Sequence, residues 1–288
     1  DTDSVFYSAI PLVKKDYPQA DLSDDKFMTE KILNIAEEVQ DFINGSYNLF
    51  AKKFLNIDKH RFDIKQECIA KSAFWVTKKR YGQWIINDGG VTCDKLDVKG
   101  LDIVRSNFPP AFRKLMTDVL QGILSNRDKE LIDERIVSFK KEMKTLPIDE
   151  IALPIGVKNL NKFADKRHSN KKIYGEGGVF TPMYKGTPVH VKAAWVYNDL
   201  LKHYKLENVE KIKNSEKIKW VYLKQNPLSI TQIAFKGYDD PKEIMDYINQ
   251  YVDHDKLFNK ALQKKIDMFY GSMDWTLVDK ANTLERFF

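Results

Sequence analysis

The sequence predicts an α+β fold in which an antiparallel sheet with packed helices precedes a mainly helical region. Residues 61–70 and 74–86 form two strand-like runs that lie close together along the chain. Residues 108–124 and 128–146 instead carry apolar side chains at helical spacing. Because the strand patterns come first and the helical patterns follow them, we expect the sheet in the first part of the chain and a helical region after it.

The composition narrows the class of protein. The length of 288 residues is typical of about two domains, and 43% hydrophobic residues suffice for packed cores. A net charge of +6 suits a nucleic-acid partner, although it also keeps many proteins soluble. Cys68 and Cys93 have neither metal-site spacing nor a disulfide framework, so we expect both to be reduced. No apolar run approaches the roughly 18 residues of a membrane span and no signal peptide is visible, which predicts a cytoplasmic protein without a membrane partner.

The chain begins with Asp1-Thr2-Asp3-Ser4 and continues into an apolar run. In an extended strand, Asp1 and Asp3 project to the same side. Two such carboxylates suit Mg²⁺, a hard cation that binds carboxylate oxygens together with substrate phosphates. A short cluster of acidic and hydroxyl residues is also common in turns and helix caps, so the tetrapeptide alone leaves both interpretations open.

The next predicted element is an amphipathic helix over residues 27–42, with Ser23 or Asp24 as its N-cap. We expect this helix to pack under the sheet. Its predicted buried stripe consists of Met28, Ile32, Ile35, Ala36, Val39, Phe42 and Ile43.

Lys71-Ser72-Ala73 joins the two strand-like runs and predicts a hairpin turn. The second run carries cations on both faces, which a buried strand does not tolerate. This pattern is typical of a strand laid against a nucleic-acid backbone or of an edge strand protected by lysines. Tyr81 favours the first interpretation, because its hydroxyl can hydrogen-bond a phosphate and its ring can pack against a sugar. Strand alternation places Lys79, Tyr81 and Gln83 on one face and Lys78, Arg80 and Trp84 on the other.

The helical region begins with an antiparallel pair of helices. Pro109-Pro110 near the first turn predicts the start of the helix over 108–124. The second helix, over 128–146, repeats the apolar pattern, and helices near 241–251 and 255–269 close the region. The predicted core stripes of the pair are Phe112, Leu115, Met116, Val119, Leu120, Ile123 and Leu124 in the first helix and Ile132, Ile136, Phe139 and Met143 in the second.

Between these helices lies a basic segment. Residues 158–172 contain six Lys or Arg against one acid, which favours a surface that binds duplex phosphates over a merely solvated loop. The following Gly175-Glu176-Gly177-Gly178 lacks the lysine and hydroxyl of a phosphate loop and predicts a flexible turn. His190 and Lys192 lie on either side of Val191 and are predicted to share one face. Both are candidate phosphate contacts.

Four segments, in this order, resemble the C-terminal palm and thumb of family B DNA polymerases, closest in style to the replicative enzymes of T-even-type phages. Asp1-Thr2-Asp3-Ser4 resembles the third palm motif, Lys79-Arg80-Tyr81 the Lys-x-Tyr motif, and residues 98–105 the segment that enters the thumb. Residues 283–288 resemble the short peptide that holds a sliding clamp. The resemblance implies the C-terminal part of the palm at 1–104, the thumb at 105–270 and a clamp-binding tail at 271–288.

The resemblance also implies roles for particular residues. Asp3 is expected to be a catalytic metal ligand for Mg²⁺, and Asp1 a neighbouring carboxylate that tunes the metal position. Glu67 adds negative potential near the metals or instead forms a structural ion pair with a lysine. Lys79 and Tyr81 position the primer terminus. The remaining implied contacts are Lys78, Arg80, Lys99 and Arg105 to primer–template DNA, and Leu284, Phe287 and Phe288 to the sliding clamp.

Family B polymerases have parts without a counterpart in this sequence: the first palm motif with its aspartate, the fingers that bind the deoxynucleoside triphosphate, and the exonuclease. We therefore expect templated DNA synthesis only together with a complementary polymerase fragment. Two alternatives remain open. One is a non-catalytic DNA-binding and clamp-tethering module, and the other is a purely structural interaction protein.

Overall fold

A computed structural model of the chain describes residues 4–163, 183 and 185–278. The chain divides into two compact units. The smaller unit comprises Asp1–Trp75 with Tyr81–Val98, and the larger comprises Val76–Arg80 with Lys99–Phe288. Helices and two three-stranded antiparallel sheets make up the described part, which confirms the predicted α+β fold.

The smaller unit begins with helices α1 (Ile10–Asp16) and α2 (Asp25–Leu55). Asp24 caps α2, as one of the two predicted N-caps, and its side chain accepts hydrogen bonds from the backbone N–H groups of the first turn. The helix continues well past the predicted end at residue 42. Asn44 helps to hold this extension, because its side chain exchanges two 2.9 Å hydrogen bonds with the backbone of Ile64.

The predicted buried stripe of α2 is only partly correct. Met28 and Ala36 are buried as predicted, and Ala51 is buried in the extension. Phe42, however, has 78% of its surface exposed, so its predicted place in the core is wrong. Large apolar side chains continue along the exposed surface of the second half of the helix, namely Leu49, Phe50, Phe54 and Leu55.

The first sheet contains β1 (Cys68–Thr77), β2 (Arg80–Asp88) and β3 (Val91–Lys99) in the order β1-β2-β3. The turn between β1 and β2 is formed by Lys78 and Lys79, so the predicted turn at Lys71-Ser72-Ala73 is wrong. Those three residues lie inside β1. The buried positions of β1, Ile69 and Phe74, are five residues apart, so the period-two pattern changes phase there without ending the strand.

The larger unit contains the predicted helix pair, α3 (Pro110–Leu124) and α4 (Lys129–Glu142). Phe112 near the start of α3 contacts Phe139 near the end of α4, with ring centroids 6.0 Å apart. Asp118 pairs with Arg135 at 3.2 Å at the middle of both helices. The two helices are therefore antiparallel, as predicted. Of the predicted stripe residues in these helices, all but the half-buried Ile123 are buried.

A second sheet, absent from the sequence-based prediction, follows the helix pair. Its order is β4-β5-β6, and both pairings are antiparallel. Helix α6 packs against β6. The elements after α4 are α5 (Ile148–Ile151), β4 (Leu153–Gly156), α6 (Val189–His203), β5 (Lys217–Tyr222), β6 (Gln232–Phe235), α7 (Lys242–Tyr251), α8 (His254–Leu257), a π-helical turn (Phe258–Gln263) and α9 (Lys264–Gly271); short 3₁₀ helices lie at Asp102–Val104 and Leu160–Phe163.

Asp133 joins three parts of the larger unit. Its buried carboxylate accepts hydrogen bonds from Tyr270 Oη in α9 at 2.6 Å and from the backbone N–H of Val278 at 3.3 Å. It also pairs with Lys129 Nζ at 2.5 Å. Burial, together with the bond to Asp133, raises the pKa of Tyr270. Trp275 packs on Tyr270 with ring centroids 5.6 Å apart, so the segment after α9 lies against the larger unit as far as Val278.

Candidate nucleic-acid interface

Lys78 and Lys79 form the closed end of the β1–β2 hairpin, and both are exposed. Their prediction as strand residues on opposite faces is wrong, because the alternation of a strand does not extend through a two-residue turn. Lys79 has a φ of +62°. The turn presents two adjacent cationic side chains at the tip of the hairpin, a geometry suited to contacting a phosphate backbone.

Gly100, just after β3, allows a close approach to this turn. It has a φ of +66°, and a Cβ atom added there would overlap the carbonyl oxygen of Lys79 and lie 3.2 Å from the Lys79 carbonyl carbon. A side chain at position 100 is thus excluded by both conformation and space. The backbone of the hairpin turn is held in place by the segment that follows β3.

We predict that Gly100→Ala lowers the free energy of unfolding by about 3 kcal/mol or more, because a positive φ and a backbone overlap act together. Gly89→Ala is the matched control. Gly89 has a φ of +57° but open space around its missing Cβ, so the control should lose only about 1 kcal/mol. Urea unfolding of both variants measures the difference. Equal losses would show that Gly100 is needed only for its positive φ and not for the close approach to the Lys79 carbonyl.

Arg80 and Arg105, both predicted as DNA contacts, converge on the same short segment after β3. Arg80 Nη2 pairs with Asp102 Oδ2 at 2.8 Å, and Arg105 Nη1 lies 3.4 Å from Asp102 Oδ1. Each guanidinium also donates to the Gly100 carbonyl at 3.3 Å. These contacts fix both guanidinium groups next to the turn that carries Lys78 and Lys79.

Lys99 completes the set of predicted cations in this region. It is exposed at the end of β3 and directly precedes Gly100. The hairpin tip at 76–80 and the segment from residue 99 onward belong to the same compact unit. The structure therefore brings Lys78, Lys79, Arg80, Lys99 and Arg105 together, and we call these residues the basic tip.

Tyr81 belongs to the smaller unit, where it forms part of an aromatic cluster. Its ring lies 5.6 Å from Phe6 and 6.3 Å from Trp75, and Phe6 and Trp75 contact each other edge to face. Both Phe6 and Trp75 are about half exposed, at 48%. A partly exposed cluster of rings can pack against sugars or bases, which is compatible with the predicted role of Tyr81.

Glu67 lies at the other end of the hairpin. It is exposed and directly precedes β1, and its carbonyl accepts a hydrogen bond from Gly89 N–H at 2.8 Å. The ten residues of β1 separate it from the turn, a length of roughly 33 Å in a regular strand. Glu67 is therefore not part of the basic tip. Its charge contributes to raising the pKa of the neighbouring Cys68, after the larger effect of burial.

His190 and Lys192 lie in the first turn of α6, so the prediction that they share a face is wrong. Residues two apart point in different directions on a helix, whereas they would face the same way on a strand. Burial lowers the pKa of His190, which favours the neutral imidazole near neutral pH. A neutral imidazole is a weaker phosphate contact than the cation that the sequence suggested.

Several predicted site residues fall outside the described residues. These include Asp1, Asp3, most of the basic segment and the glycine-rich turn after it, and the clamp residues Leu284, Phe287 and Phe288. Across residues 4–163, 183 and 185–278, no three His, Cys, Asp or Glu side chains lie close enough together to hold a metal ion. Within the same residues, none of the helices has both the length and the hydrophobicity needed to cross a bilayer.

Sequence reasoning missed two residues of this region. Asp102 lies within the segment that the sequence singled out, yet only its basic neighbours were considered as contacts. Lys265, in α9, places its Nζ 3.0 Å from Asp102 Oδ2. The two residues are far apart in the sequence, so no local spacing indicates their pairing.

Comparison with known proteins assigns the chain to a family. The sequence pattern that describes DNA polymerase family B matches residues 25–270. The chain belongs to DNA polymerase family B. This family B match includes the hairpin, Gly100, Asp102 and the helix pair α3–α4, whereas Asp1, Asp3 and the last 18 residues lie outside it.

Two individual proteins are similar to this family B chain. The DNA-directed DNA polymerase of Enterobacteria phage T4 is 23% identical over 241 residues, which cover 80% of this chain and 25% of that polymerase. The Putative protein SSX8 of Homo sapiens is 30% identical over 87 residues, which cover 28% of this chain and 46% of that protein. The chain thus spans a quarter of the length of the phage relative and less than half of the human one.

Proposed function

We propose that this chain is the C-terminal palm and thumb portion of a DNA-directed DNA polymerase. It would act in DNA replication, where deoxynucleotides are transferred from triphosphates to the 3′ end of a primer. Within it, residues 1–104 would form the C-terminal part of the palm, 105–270 the thumb and 271–288 the clamp-binding tail. The observation that best supports this proposal is the family B match over residues 25–270, which contains the basic tip.

The catalytic contribution of this chain would come from Asp3 and Asp1. Their carboxylates are ligands of the kind that Mg²⁺ prefers. Asp3 would be the principal metal ligand, and Asp1 would tune metal placement. Bound Mg²⁺ supplies the positive charge that nucleotidyl transfer requires. The remaining ligands would come from the first palm motif of a complementary portion. Glu67 would add negative potential to this region of the palm.

DNA binding would be the contribution of the basic tip. Its five cations lie on the hairpin and the adjoining segment, and Asp102 and Gly100 hold the two guanidinium groups. Guanidinium and ammonium groups bind phosphates independently of sequence, as a replicative enzyme requires. Tyr81, with the rings of Phe6 and Trp75, would pack against the primer terminus.

The exposed apolar side of α2 supports a complementary portion as a partner. Phe42 and Leu49, seven residues apart on one stripe, are 78% and 73% exposed, and Phe54 is 69% exposed. Several large apolar side chains left exposed on one helix typically mark an interaction site. Because the phage relative is about four times as long as the matched region, we assign this surface to the polymerase portion that carries the exonuclease, first palm motif and fingers.

The proposed DNA binding is tested by Lys79→Ala. Loss of one phosphate contact should weaken binding of a primer–template duplex regardless of its sequence and reduce the salt slope, d log K/d log [salt], by about one unit. Fluorescence anisotropy titrations between roughly 50 and 200 mM KCl measure both quantities. Lys52→Ala, which removes an exposed lysine from the last turn of α2, is the control and should leave both unchanged.

Three outcomes of this experiment are informative. A wild-type chain that fails to bind duplex DNA contradicts the proposed function. An unchanged slope combined with easier extension of mispaired primers in the reconstituted enzyme would place Lys79 against minor-groove acceptors instead of phosphates. If Lys79→Ala behaves like the control in both assays, the turn at Lys78 and Lys79 is merely solvated and does not contact DNA.

A further inference from the structure

Asp102 is surrounded by more positive charge than it can balance. Its carboxylate lies 2.8 Å from Arg80 Nη2, 3.4 Å from Arg105 Nη1 and 3.0 Å from Lys265 Nζ. The three cations come from the hairpin tip, the segment after β3 and helix α9. Three positive charges against one negative charge leave an excess of two on this cluster.

The four side chains differ in how much of their surface is exposed to solvent. The Asp102 side chain is 12% exposed, whereas Arg80, Lys265 and Arg105 are 26%, 33% and 51% exposed. The carboxylate is therefore covered, while each cation retains a surface that faces solvent. A covered counter-charge beside three cations that are at least partly exposed is an arrangement suited to binding an anion.

A purely structural ion-pair network is the simpler interpretation. One well-placed cation is enough to compensate a largely buried carboxylate, and partly exposed ion pairs contribute little to stability. Adding a second and a third cation brings like charges close together, which costs free energy unless another anion is present. The surplus is therefore better explained by a ligand that carries negative charge.

We propose that Arg80, Arg105 and Lys265, held by Asp102, form a binding site for a phosphate of the nucleic-acid backbone. In this site Asp102 is a positioning residue, and Lys265 adds α9 to the DNA-contacting surface. The proposal rests on the proposed function and extends it to a helix that the basic tip does not include. Guanidinium groups offer paired N–H donors to phosphate oxygens, and the Lys265 ammonium adds a third charge.

The test compares Lys265→Gln with Lys264→Gln in the full chain. Lys264 is an exposed neighbour on the same helix whose side chain points about 100° away, so both variants lose one charge from α9. Binding of a primer–template duplex is measured by fluorescence anisotropy as a function of KCl concentration. Lys265→Gln should lower the salt slope by about one unit and weaken binding roughly tenfold near 0.1 M salt. Lys264→Gln should match the wild type, and Lys265→Arg should retain the wild-type slope.

Thermal unfolding separates this site from a structural ion pair. If Lys265→Gln lowers only Tm, or changes nothing, and its salt slope stays at the wild-type value, the proposal is overturned. A wild-type chain that binds no duplex would overturn both this proposal and the proposed function. Normal wild-type binding, with Lys265→Gln equal to Lys264→Gln, would overturn this proposal alone.

Discussion

Asp3→Asn is expected to lower primer extension by several orders of magnitude when the chain is combined with a polymerase portion that carries the first palm motif and the fingers. The substitution keeps the size of the side chain but removes the negative charge that the catalytic metals need. Single-turnover extension of a labelled primer in the presence of Mg²⁺ measures the effect. Asp1→Asn is the companion variant and should have a smaller effect, because Asp1 is assigned to tuning metal placement.

Two further results would decide between the alternatives for this chain. The wild-type chain alone should give no templated synthesis, and measurable synthesis by it would contradict the need for a complementary portion. If Asp3→Asn costs less than about tenfold, equivalent to about 1.4 kcal/mol of transition-state stabilisation, the metal role belongs to Asp1 or to another residue. A non-catalytic DNA-binding module would tolerate Asp3→Asn without any change in DNA affinity.

Deletion of residues 284–288 is expected to abolish clamp-dependent processivity while distributive synthesis by the reconstituted enzyme stays intact. Leu284, Phe287 and Phe288 are spaced so that one helical turn places their side chains together, the anchor pattern of a short helix that enters a groove. Product lengths on a primed template, with and without a loaded sliding clamp, measure processivity. Glu285→Gln with Arg286→Gln is the control, since it keeps all three apolar anchors and should remain processive.

Two results of this deletion would contradict clamp binding by residues 284–288. If the three apolar residues pack on the thumb or palm, the deletion should lower Tm and basal synthesis even without a clamp. Retention of full clamp-dependent processivity after the deletion would place clamp binding elsewhere in the chain.

Helical elements with strong apolar periodicity were predictable from the sequence. The α3–α4 pair and its core, including Phe112 and Phe139, follow directly from the 3.6-residue repeat, because a single face of each helix meets its partner. The hairpin was harder to place. The predicted runs 61–70 and 74–86 only partly overlap β1 and β2, because the phase change between Ile69 and Phe74 mimicked a turn. The actual turn consists of two lysines without the usual glycine or asparagine.

Some residues of the candidate site were also predictable from local sequence patterns, whereas others were not. Arg80 and Arg105 could be named as candidate DNA contacts because each lies in a segment with a recognisable pattern. Their common partner Asp102, and the approach of Lys265 to it, depend on tertiary packing between elements far apart in the chain. His190 and Lys192 were misassigned to one face because a four-residue pattern does not distinguish a strand from the first turn of a helix.

The hydrogen bond between Val278 N–H and Asp133 limits how far the residues that follow can extend from the larger unit. Ten residues come after Val278 in the sequence, and a fully extended chain of that length spans at most about 36 Å. A clamp bound by Leu284, Phe287 and Phe288 would thus lie within about 36 Å of Val278 and its hydrogen bond to Asp133. Because the segment connects the clamp to the chain only while Leu284, Phe287 and Phe288 are bound, the lifetime of the clamp complex would be set by the dissociation rate of this peptide.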